Sequence, residues 1–167
     1  LSGRLLARTR KEKLAEALGP NQFAVGTAAG TEVLAHTARA LTEADPGLVL
    51  TALDATKAYC TASREQCLAE LRRVAPELVP CAELFCRRES SYLFWDGAGR
   101  CHKLRATDGV DQGDPLAPLL FACGLAPRLR ELEAALQDAA AALGLERSRV
   151  RVLAFLDDVV VLTPPEL

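Results

Sequence analysis

Apolar and polar residues alternate along this chain in patterns that predict both helices and short strands. Leucines spaced as on one face of a helix run through residues 4–18, and a Gly-Pro pair ends that pattern. Residues 21–30 are punctuated by glycine and predict irregular chain. We interpret Thr31 as the cap of a second helix, which continues to about residue 44.

Apolar stretches in three parts of the chain predict strands. "LVLTALDA", residues 48–55, is a short apolar strand that ends at Asp54. In residues 91–106, "SYLFW" and "RCHKLRA" flank the glycine-containing loop "DGAG" and predict a β-hairpin. Residues 149–163 contain two further strands, "RVRVLAF" and "VVVLT", joined through a Leu-Asp-Asp sequence.

The remaining periodic segments predict helices. A capping-box pattern begins at Ser63, and a weaker helical pattern covers residues 76–88. A long helical region follows in residues 115–143, which we expect Gly124 and Pro127 to bend or divide. Helices and strands mixed in this order, without repeats, predict the α+β fold class.

Length and charge limit the function classes. A chain of 167 residues fits one domain, or one domain with a small appendage. Lys and Arg total 20 against 22 Asp and Glu, a net charge of -2, so a nucleic-acid partner would need a localised basic surface or a metal ion. No apolar run reaches the ~18 residues of a membrane span, so we expect no membrane partner. Oligomeric state is left open.

The chain contains six cysteines that do not form paired C-x-x-C spacings. Since no signal peptide precedes them, we expect reduced intracellular thiols, some of them in the core. A zinc site that uses Cys81, Cys86, Cys101 and His102 is the weaker alternative, because its spacing matches no tetrahedral motif well. The chain begins at Leu1 and contains no Met, so we expect an excerpt of a longer polypeptide.

Three aspartates share one type of position. Asp54 ends an apolar strand, and Asp157 and Asp158 lie between two others. If these strands are neighbours, the three carboxylates converge at one sheet edge, where their mutual repulsion favours a bound cation. Clustered carboxylates prefer Mg²⁺ or Mn²⁺, and two such ions about 4 Å apart can activate a hydroxyl and stabilise a leaving oxygen. The alternative is that the Asp pair is only a polar hairpin turn.

Three motifs occur in the order and approximate spacing of motifs A, B and C of reverse transcriptases. They are "LDATKAY" at residues 53–59, "QGDPLAPLLF" at 112–121 and "FLDD" at 155–158. Residues 19–41 resemble the segment before motif A in non-LTR retrotransposon reverse transcriptases, where a Gln-Phe-Gly-like turn leads into a helix. Arginines near the start resemble the end of a basic fingers segment: Arg4, Arg8 and Arg10. The resemblance covers the chain from about residue 4 to its end.

This resemblance implies the palm of a right-hand polymerase, with a small antiparallel sheet packed on helices. Residues 1–45 would be part of the fingers and residues 46–167 the palm, with the thumb absent. By the same resemblance, Asp54 and Asp157 are the metal-bridging catalytic carboxylates, and Asp158 is their neighbour in motif C. Because the chain stops soon after motif C, we expect the isolated fragment to be inactive or nearly so.

The resemblance also implies a nucleotide site. Tyr59 occupies the position of an aromatic steric gate that excludes a 2′-hydroxyl, although an ordinary core aromatic is the alternative. The backbone amides from Ala55 to Ala58 resemble those that receive the triphosphate. Gln112 and Gly113 resemble the motif B pair that packs against nucleotide and template, where glycine allows close approach.

Several charged residues lie near these motifs, and for some of them two interpretations remain open. Asp114 is interpreted as the cap of the following helix. Asp111 departs from related elements, which often carry a neutral residue beside this Gln, and would be unhelpful near phosphates unless it faces solvent. Lys57 faces either the triphosphate or solvent. Lys103 and Arg105 contact either a nucleic-acid backbone or solvent.

The function implied is template-directed DNA synthesis by a non-LTR retroelement reverse transcriptase. Its partners would be an RNA template, a DNA primer and dNTP, with two Mg²⁺ or Mn²⁺ ions as cofactors, and its location nuclear. One alternative is a catalytically inactive reverse-transcriptase-like scaffold. Another is an RNA-dependent RNA polymerase palm, which the Tyr59 position and the Phe-Leu before the Asp pair disfavour.

Overall fold

The computed structural model describes residues 11–167, a mixed arrangement of helices and small antiparallel sheets. The helices are α1 (Lys11–Leu18), α2 (Gly30–Ala44), α3 (Ala58–Thr61), α4 (Arg64–Val74), α5 (Val79–Cys86) and α6 (Ala117–Ala142). The strands are β1 (Val49–Leu53), β2 (Ser90–Trp95), β3 (Cys101–Ala106), β4 (Arg151–Phe155) and β5 (Asp158–Thr163). Two 3₁₀ turns, Pro76–Leu78 and Arg147–Arg149, precede α5 and β4. The expected mixture of helix and antiparallel sheet is confirmed, while the right-hand palm stays a prediction.

The sheet that carries the predicted site has the strand order β1-β5-β4. Both pairings are antiparallel, with Leu53 opposite Val159 and Phe155 opposite Asp158. Strands β4 and β5, here called the buried hairpin, form its centre and one side. The prediction that the motif A strand lies beside the motif C strands is therefore confirmed.

Strands β2 and β3 form a separate two-stranded sheet, here called the exposed hairpin. Its register runs from Ser90 opposite Ala106 to Trp95 opposite Cys101, as the glycine-containing loop predicted. Almost every residue of both strands is exposed. Strand β1 is exposed along its whole length as well, although its apolar sequence is typical of a buried strand.

The main core lies between α4 and α6. Cys67, Leu68 and Leu71 of α4 pack against buried residues of α6, and Leu14 and Leu18 of α1 complete the cluster. Burial raises the pKa of the Cys67 thiol to about 11 and that of Cys123 to about 12. The expectation that some thiols are core residues is confirmed.

Two helix predictions differ from the structure. Thr31 does not cap α2: it lies inside the helix, and Ala29, in a left-handed conformation, precedes the first turn without a side-chain cap. Helix α6 is not divided, because it continues through Gly124 and Pro127, while the expected bend stays a prediction. Gly124 lies against α4, where an added Cβ would approach the Cys67 sulfur to 2.7 Å, so close helix packing accounts for this glycine. The predicted start of α1, before residue 11, lies outside the described residues.

No helix within residues 11–167 is long and apolar enough to cross a membrane.

Candidate functional site

The turn of the buried hairpin carries the predicted Asp pair. Its two loop residues are Leu156 and Asp157, and Asp158 begins β5 opposite Phe155. The turn is thus one residue shorter than the Leu-Asp-Asp connection we predicted. Leu156 has a φ of 56°, a left-handed conformation that costs a non-glycine residue about 1 to 2 kcal/mol. Such strain persists only where surrounding structure holds it.

Gln22 holds this strained turn. Its side-chain oxygen accepts a hydrogen bond from the Leu156 amide at 2.8 Å, and its side-chain nitrogen donates to the Leu156 carbonyl at 3.4 Å. The same oxygen accepts from the Ala24 amide at 3.1 Å. Gln22 is almost fully buried, so the polar atoms of the turn are satisfied away from solvent. The predicted catalytic turn is therefore fixed by a residue more than a hundred positions earlier.

The chain around Gln22 is held against β4 like an additional short strand. The Ala154 amide donates to the Asn21 carbonyl at 2.6 Å, and the Phe23 amide donates to the Ala154 carbonyl at 2.8 Å. The Asn21 side chain donates to the Val152 carbonyl and to Glu133 of α6. This network joins the irregular segment, the sheet and α6 behind the turn. Sequence reasoning assigned no role to Asn21, Gln22 or Glu133.

Asp54 lies at the same end of the sheet as the turn. Because Leu53 pairs with Val159 and the strands are antiparallel, the position after Leu53 falls opposite Asp158. Asp54 and Asp158 are exposed and Asp157 is half-buried. This end of the sheet, with Asp54, Asp157 and Asp158, is called the aspartate end below.

These three carboxylates have no hydrogen-bond or ion-pair partner among residues 11–167. Each of the other aspartates has one: Asp45 with Arg149, Asp96 with Arg100 and His102, Asp108 with Thr107, Asp111 with Tyr92, Asp114 with the Leu116 amide, and Asp138 with Arg147. Among the aspartates of residues 11–167, those without a partner are therefore the ones that the motifs select, and they share one sheet end.

Within the described part of the chain, no group of three or more His, Cys, Asp or Glu side chains is arranged to hold a metal ion. The four residues of the zinc alternative do not form such a group, and His102 instead lies 2.9 Å from Asp96. At the aspartate end, the donor chemistry fits Mg²⁺ or Mn²⁺, which prefer carboxylate oxygens. No existing hydrogen bond would have to break for these side chains to turn toward an ion.

Tyr59, the last residue of motif A, lies in α3 and stacks on Phe121 of α6 with ring centroids 4.7 Å apart and planes 4° from parallel. Burial, and secondarily the negative charge of Asp157, raise the pKa of its phenol. The ring is thus fixed against the core on one side and lies within electrostatic reach of the aspartate end. This placement suits both a packed aromatic and a rigid wall of a nucleotide site.

The segment before motif B is attached to the segment after motif A. The Val110 amide donates to the Tyr59 carbonyl at 2.8 Å, and the Gly109 amide donates to the Ala62 carbonyl at 2.8 Å. A side chain at Gly109 would bring Cβ within 2.5 Å of the Cys60 carbonyl oxygen, and φ there is 84°. Only glycine fits this close approach. Motifs A and B are therefore tied together through the backbone.

Gln112 and Gly113 form the centre of a tight turn on the surface. The Asp114 amide donates to the Asp111 carbonyl at 3.1 Å, and Gly113 has a φ of 97°, as the third position of a type II turn requires. An added Cβ at Gly113 would meet nothing within 4 Å, so the turn faces open space. The Asp114 carboxylate accepts from the Leu116 amide at 2.7 Å, one turn ahead of α6. The prediction that Asp114 caps α6 is wrong: the residue before the first turn is Leu116, and α6 has no side-chain cap. Asp114 instead holds the turn that leads into the helix.

Asp111 is not a free charge beside this turn. The Tyr92 hydroxyl of the exposed hairpin donates a hydrogen bond to its carboxylate, and this bond is the main cause of the raised pKa of Tyr92. Asp111 therefore links the exposed hairpin to the Gln112–Gly113 turn. Asp111, where related elements often carry a neutral residue, therefore has a hydrogen-bond partner in Tyr92 that the sequence did not indicate.

The triphosphate residues implied by the resemblance stay predictions. Lys57 has a φ of 55° at the start of α3, and its exposed side chain has no partner among residues 11–167. The amides of Ala55, Thr56 and Lys57 have no acceptor there either. These three backbone amides are therefore available to donate hydrogen bonds to a ligand. Arg4, Arg8 and Arg10 lie outside the described residues.

Comparisons with known proteins agree with this geometry in part. No family model matches the chain. Over 73 residues, 44% of this chain, it is 37% identical to the retrotransposable element SLACS 132 kDa protein of Trypanosoma brucei gambiense, and it spans 5% of that protein's length. The fold resembles telomerase from Candida albicans, solved in complex with the TWJ fragment of telomeric RNA. That likeness has a TM-score of 0.63 at 13% identity and covers 98% of this chain and 30% of that one.

At 13% identity the telomerase likeness concerns the fold alone. Together with the partial match to a retrotransposon protein, it suggests a reverse-transcriptase-like relationship for this chain. The matched share of either protein is too small to carry over the whole protein's activity.

Proposed function

We propose that this chain carries part of the catalytic site of an RNA-directed DNA polymerase of a non-LTR retroelement. The reaction adds a deoxynucleotide to a primer 3′-hydroxyl by in-line attack on the α-phosphate, with release of pyrophosphate. Residues 46–167 would be the palm and residues 1–45 part of the fingers. The partners would be an RNA template, a DNA primer and dNTP.

The observation that carries this proposal is the clustering of carboxylates without partners at the aspartate end. Asp54, Asp157 and Asp158 share one sheet end, and no cation or hydrogen-bond donor among residues 11–167 neutralises them. Unneutralised like charges oppose folding, so a site that keeps them gains when a cation binds. If the turn had only a structural role, it would not need Asp54 at the end of the neighbouring strand β1.

In this proposal the carboxylates of Asp54 and Asp157 hold the ions, with Asp158 beside them. Two bound Mg²⁺ or Mn²⁺ ions would supply charge stabilisation at the attacking and leaving oxygens. The chain itself supplies placement, because Gln22 fixes the turn that carries Asp157. Positioning and electrostatics account for most catalysis in phosphoryl transfer, so no nucleophilic side chain is required.

The nucleotide would occupy the space between the aspartate end and the Gln112–Gly113 turn. Tyr59, held flat against Phe121, would form the wall that excludes a 2′-hydroxyl. The amide of Ala55 and those that follow would donate to the triphosphate, since they have no acceptor among the described residues. Gly113 leaves room for base or sugar to approach the backbone.

A second candidate is a reverse-transcriptase-like scaffold without catalysis. One observation favours it: the described side chains form no group arranged to hold a metal. On this reading the acids are remnants, and neither Mg²⁺ nor Mn²⁺ would bind them above the level of ordinary surface carboxylates. Nuclear location stays a prediction.

Primer extension by a protein that contains this chain, called the parent protein below, tests the proposal. Asp157→Asn should lower extension about a thousandfold or more, because metal-ion catalysis contributes several kcal/mol. Asp138→Asn is the matched control: Asp138 is an exposed acid paired with Arg147 on the far part of α6, and its replacement should leave the rate unchanged. Extension by the Asp157→Asn protein at the control rate would reject the metal-site assignment.

Sugar selection tests the Tyr59 role and separates the RNA polymerase alternative. In the parent protein, Tyr59→Ala should raise incorporation of ribonucleotides relative to deoxynucleotides, because the ring would no longer meet the 2′-hydroxyl. Phe121→Leu, which removes the ring on which Tyr59 stacks, should give a smaller change in the same direction. A parent that already prefers ribonucleotides would favour the RNA polymerase.

A further inference from the structure

Positive charge is concentrated on the exposed hairpin and the residues that lead into it. Residues 87–106 contain Arg87, Arg88, Arg100, Lys103 and Arg105 against two acids, a net charge of +3. The whole chain has a net charge of -2, so the rest of it carries -5. This is a localised basic surface of the kind that a chain with such a balance needs to bind a polyanion; the sequence has a second basic stretch at residues 4–13.

The exposed aromatic side chains of the described residues are concentrated in the same place. Phe94 is 55% exposed and Trp95 58%, and the others that are exposed by more than a third are Tyr92 and Phe85 just before the hairpin. Every other Phe and Tyr is at least half-buried. Large aromatic side chains are usually buried in a domain of this size. A cluster of exposed aromatic side chains is therefore typical of a binding surface.

The strand register separates the hairpin into two faces. Leu93 is opposite Lys103, Ser91 is opposite Arg105, and Trp95 is opposite Cys101, so these side chains share one face, here called the cationic face. The other face carries Tyr92, Phe94, Leu104 and His102. It lies toward motif B, because the Tyr92 hydroxyl donates to Asp111.

Nearby acids neutralise the positive charges of the cationic face only weakly. Lys103 has no ion-pair partner among residues 11–167, and Arg105 lies 3.5 Å from Glu89 with both side chains largely in solvent. Solvated pairs of this kind are worth at most about 1 kcal/mol. By contrast, Asp96 at the loop is engaged by Arg100 and His102 on the opposite side of the turn. The face therefore presents positive charge next to an exposed indole.

We propose that the cationic face of the exposed hairpin binds a single strand of nucleic acid, with its phosphates at Lys103 and Arg105 and a base stacked on Trp95. Single-strand binders combine these two features, cations that follow the backbone and aromatic faces on which bases stack without regard to sequence. A protein partner would instead favour the more apolar face with Phe94 and Leu104, where no Lys or Arg lies. Because the cationic face carries positive charge, it favours a polyanion over a protein partner.

This inference does not rest on catalysis at the aspartate end. The cationic face uses none of the carboxylates, and a chain that catalyses nothing would bind equally well. A binding measurement in excess chelator therefore separates the two: it removes divalent ions from the aspartate end and leaves stacking and phosphate contacts in place. Asp138→Asn, at an exposed acid of α6 that pairs with Arg147, should leave the affinity for the strand unchanged within about twofold.

Trp95 is the only Trp of the chain, so its fluorescence reports directly on the proposed surface. The 167-residue chain is titrated with a deoxythymidine oligomer of about 12 nucleotides in EDTA and low salt, within the range that single-strand binders cover. Binding should quench Trp95 emission, and raising the salt from about 50 to 200 mM should weaken it several-fold. Emission unchanged at saturation would overturn the stacking assignment.

Variants locate the site, with affinity measured by the anisotropy of a labelled oligomer. Trp95→Ala should weaken binding about tenfold and Trp95→Phe much less, since a phenyl ring still stacks. Lys103→Glu should weaken binding about tenfold as well. Arg39→Glu makes the same charge change at an exposed residue of α2 and should have less than a twofold effect.

Three further outcomes would reject the proposal. The first two are equal weakening by Lys103→Glu and Arg39→Glu, and no binding at all; either would show that the cationic face is not a specific surface. The third is self-association: if sedimentation without oligomer shows a dimer that Trp95→Ala dissociates, then a second copy of the chain covers the hairpin instead. Circular dichroism of each variant checks that the fold is retained.

Discussion

The two hairpins of this protein are similar in sequence pattern and opposite in environment. Both are short antiparallel pairs rich in apolar residues, and both were predicted from local sequence. The buried hairpin is enclosed by β1, α6 and the segment around Gln22, with residues such as Val152 and Leu162 fully buried. The exposed hairpin leaves Leu93, Phe94 and Trp95 more than half in solvent.

The difference shows that apolar strand residues have two uses here. In the buried hairpin they form a rigid base beneath a strained turn that presents acids without partners. In the exposed hairpin they form a surface that carries Lys103, which has no ion-pair partner among residues 11–167, and Arg105, whose pair with Glu89 is largely in solvent. Buried polar side chains attach both hairpins: Gln22 holds the turn of the first and Asn21 its strand β4, and Arg64 holds the base of the second. The protein thus presents one anionic and one cationic surface, each on its own hairpin.

Truncating one leucine in each hairpin should give the largest contrast. Leu162→Ala removes a fully buried side chain and should lower the free energy of unfolding by about 2 to 5 kcal/mol. Leu104→Ala, at a residue 56% exposed, should change it by less than about 0.5 kcal/mol. Urea denaturation measures both. Similar losses would mean that the exposed hairpin is covered in the native protein.

Arg64 should decide the attachment of the exposed hairpin. Its guanidinium donates to the Gly109 carbonyl at 2.7 Å, to the Arg88 carbonyl at 3.1 Å and to the Ser90 hydroxyl at 3.0 Å. Arg64→Met leaves these acceptors unpaired and should cost about 2 to 3 kcal/mol. Amide exchange should speed up in the exposed hairpin and not in the buried one.

The control for this prediction is Arg72→Met on the same helix. Arg72 is half-exposed and pairs with Glu83 at the surface, so its loss should cost less than about 1 kcal/mol. If exchange in β2 and β3 is equally slow in the Arg64→Met protein, the hairpin is held by contacts other than this arginine.

Gln22 is the corresponding residue for the buried hairpin. Gln22→Ala removes the acceptor of the Leu156 amide at a turn of positive φ and should lower the free energy of unfolding by about 1 to 2 kcal/mol. Gln66→Ala, at an exposed side chain of α4, should have no measurable effect. A Gln22→Ala protein as stable as its Gln66→Ala control would show that the turn does not need the clamp.

The smallest expected effect concerns the phenol of Tyr59. The charge of Asp157 contributes to its raised pKa, after burial, so Asp157→Asn should move that pKa back toward the ordinary value of about 10. Absorbance titration in a Tyr92→Phe background isolates Tyr59, because the chain has two tyrosines. Asp45→Asn, which removes an acid paired with Arg149 elsewhere, is the control. An unchanged titration would place Asp157 out of reach of the ring.

Local sequence predicted much of this fold because its signals act over short distances. The glycine-containing loop set the register of the exposed hairpin, and Ser63 caps α4 through the Gln66 amide as its spacing indicated. The placement of Asp54 beside the Asp pair depended on the condition that their strands are neighbours in one sheet, and the strand order shows that they are.

The parts that sequence did not reveal depend on long-range contacts. Nothing near Gln22 indicates that it binds a turn at Leu156, and Asn21 meets Glu133 from equally far along the chain. The exposure of β1 was missed because an apolar strand is normally taken as buried. Asp111 was judged from its charge alone, while its partner Tyr92 lies on another element. A polar residue that tertiary structure buries leaves no local signal.

The most direct test of the central claim is Mn²⁺ binding to the 167-residue chain, followed by electron paramagnetic resonance of the free ion. If the aspartate end is a metal site, the wild-type chain should bind Mn²⁺, and Asp157→Asn should weaken that binding about tenfold or more. Asp138→Asn should bind as the wild type does. Equal binding by the wild-type chain and both variants would contradict the account.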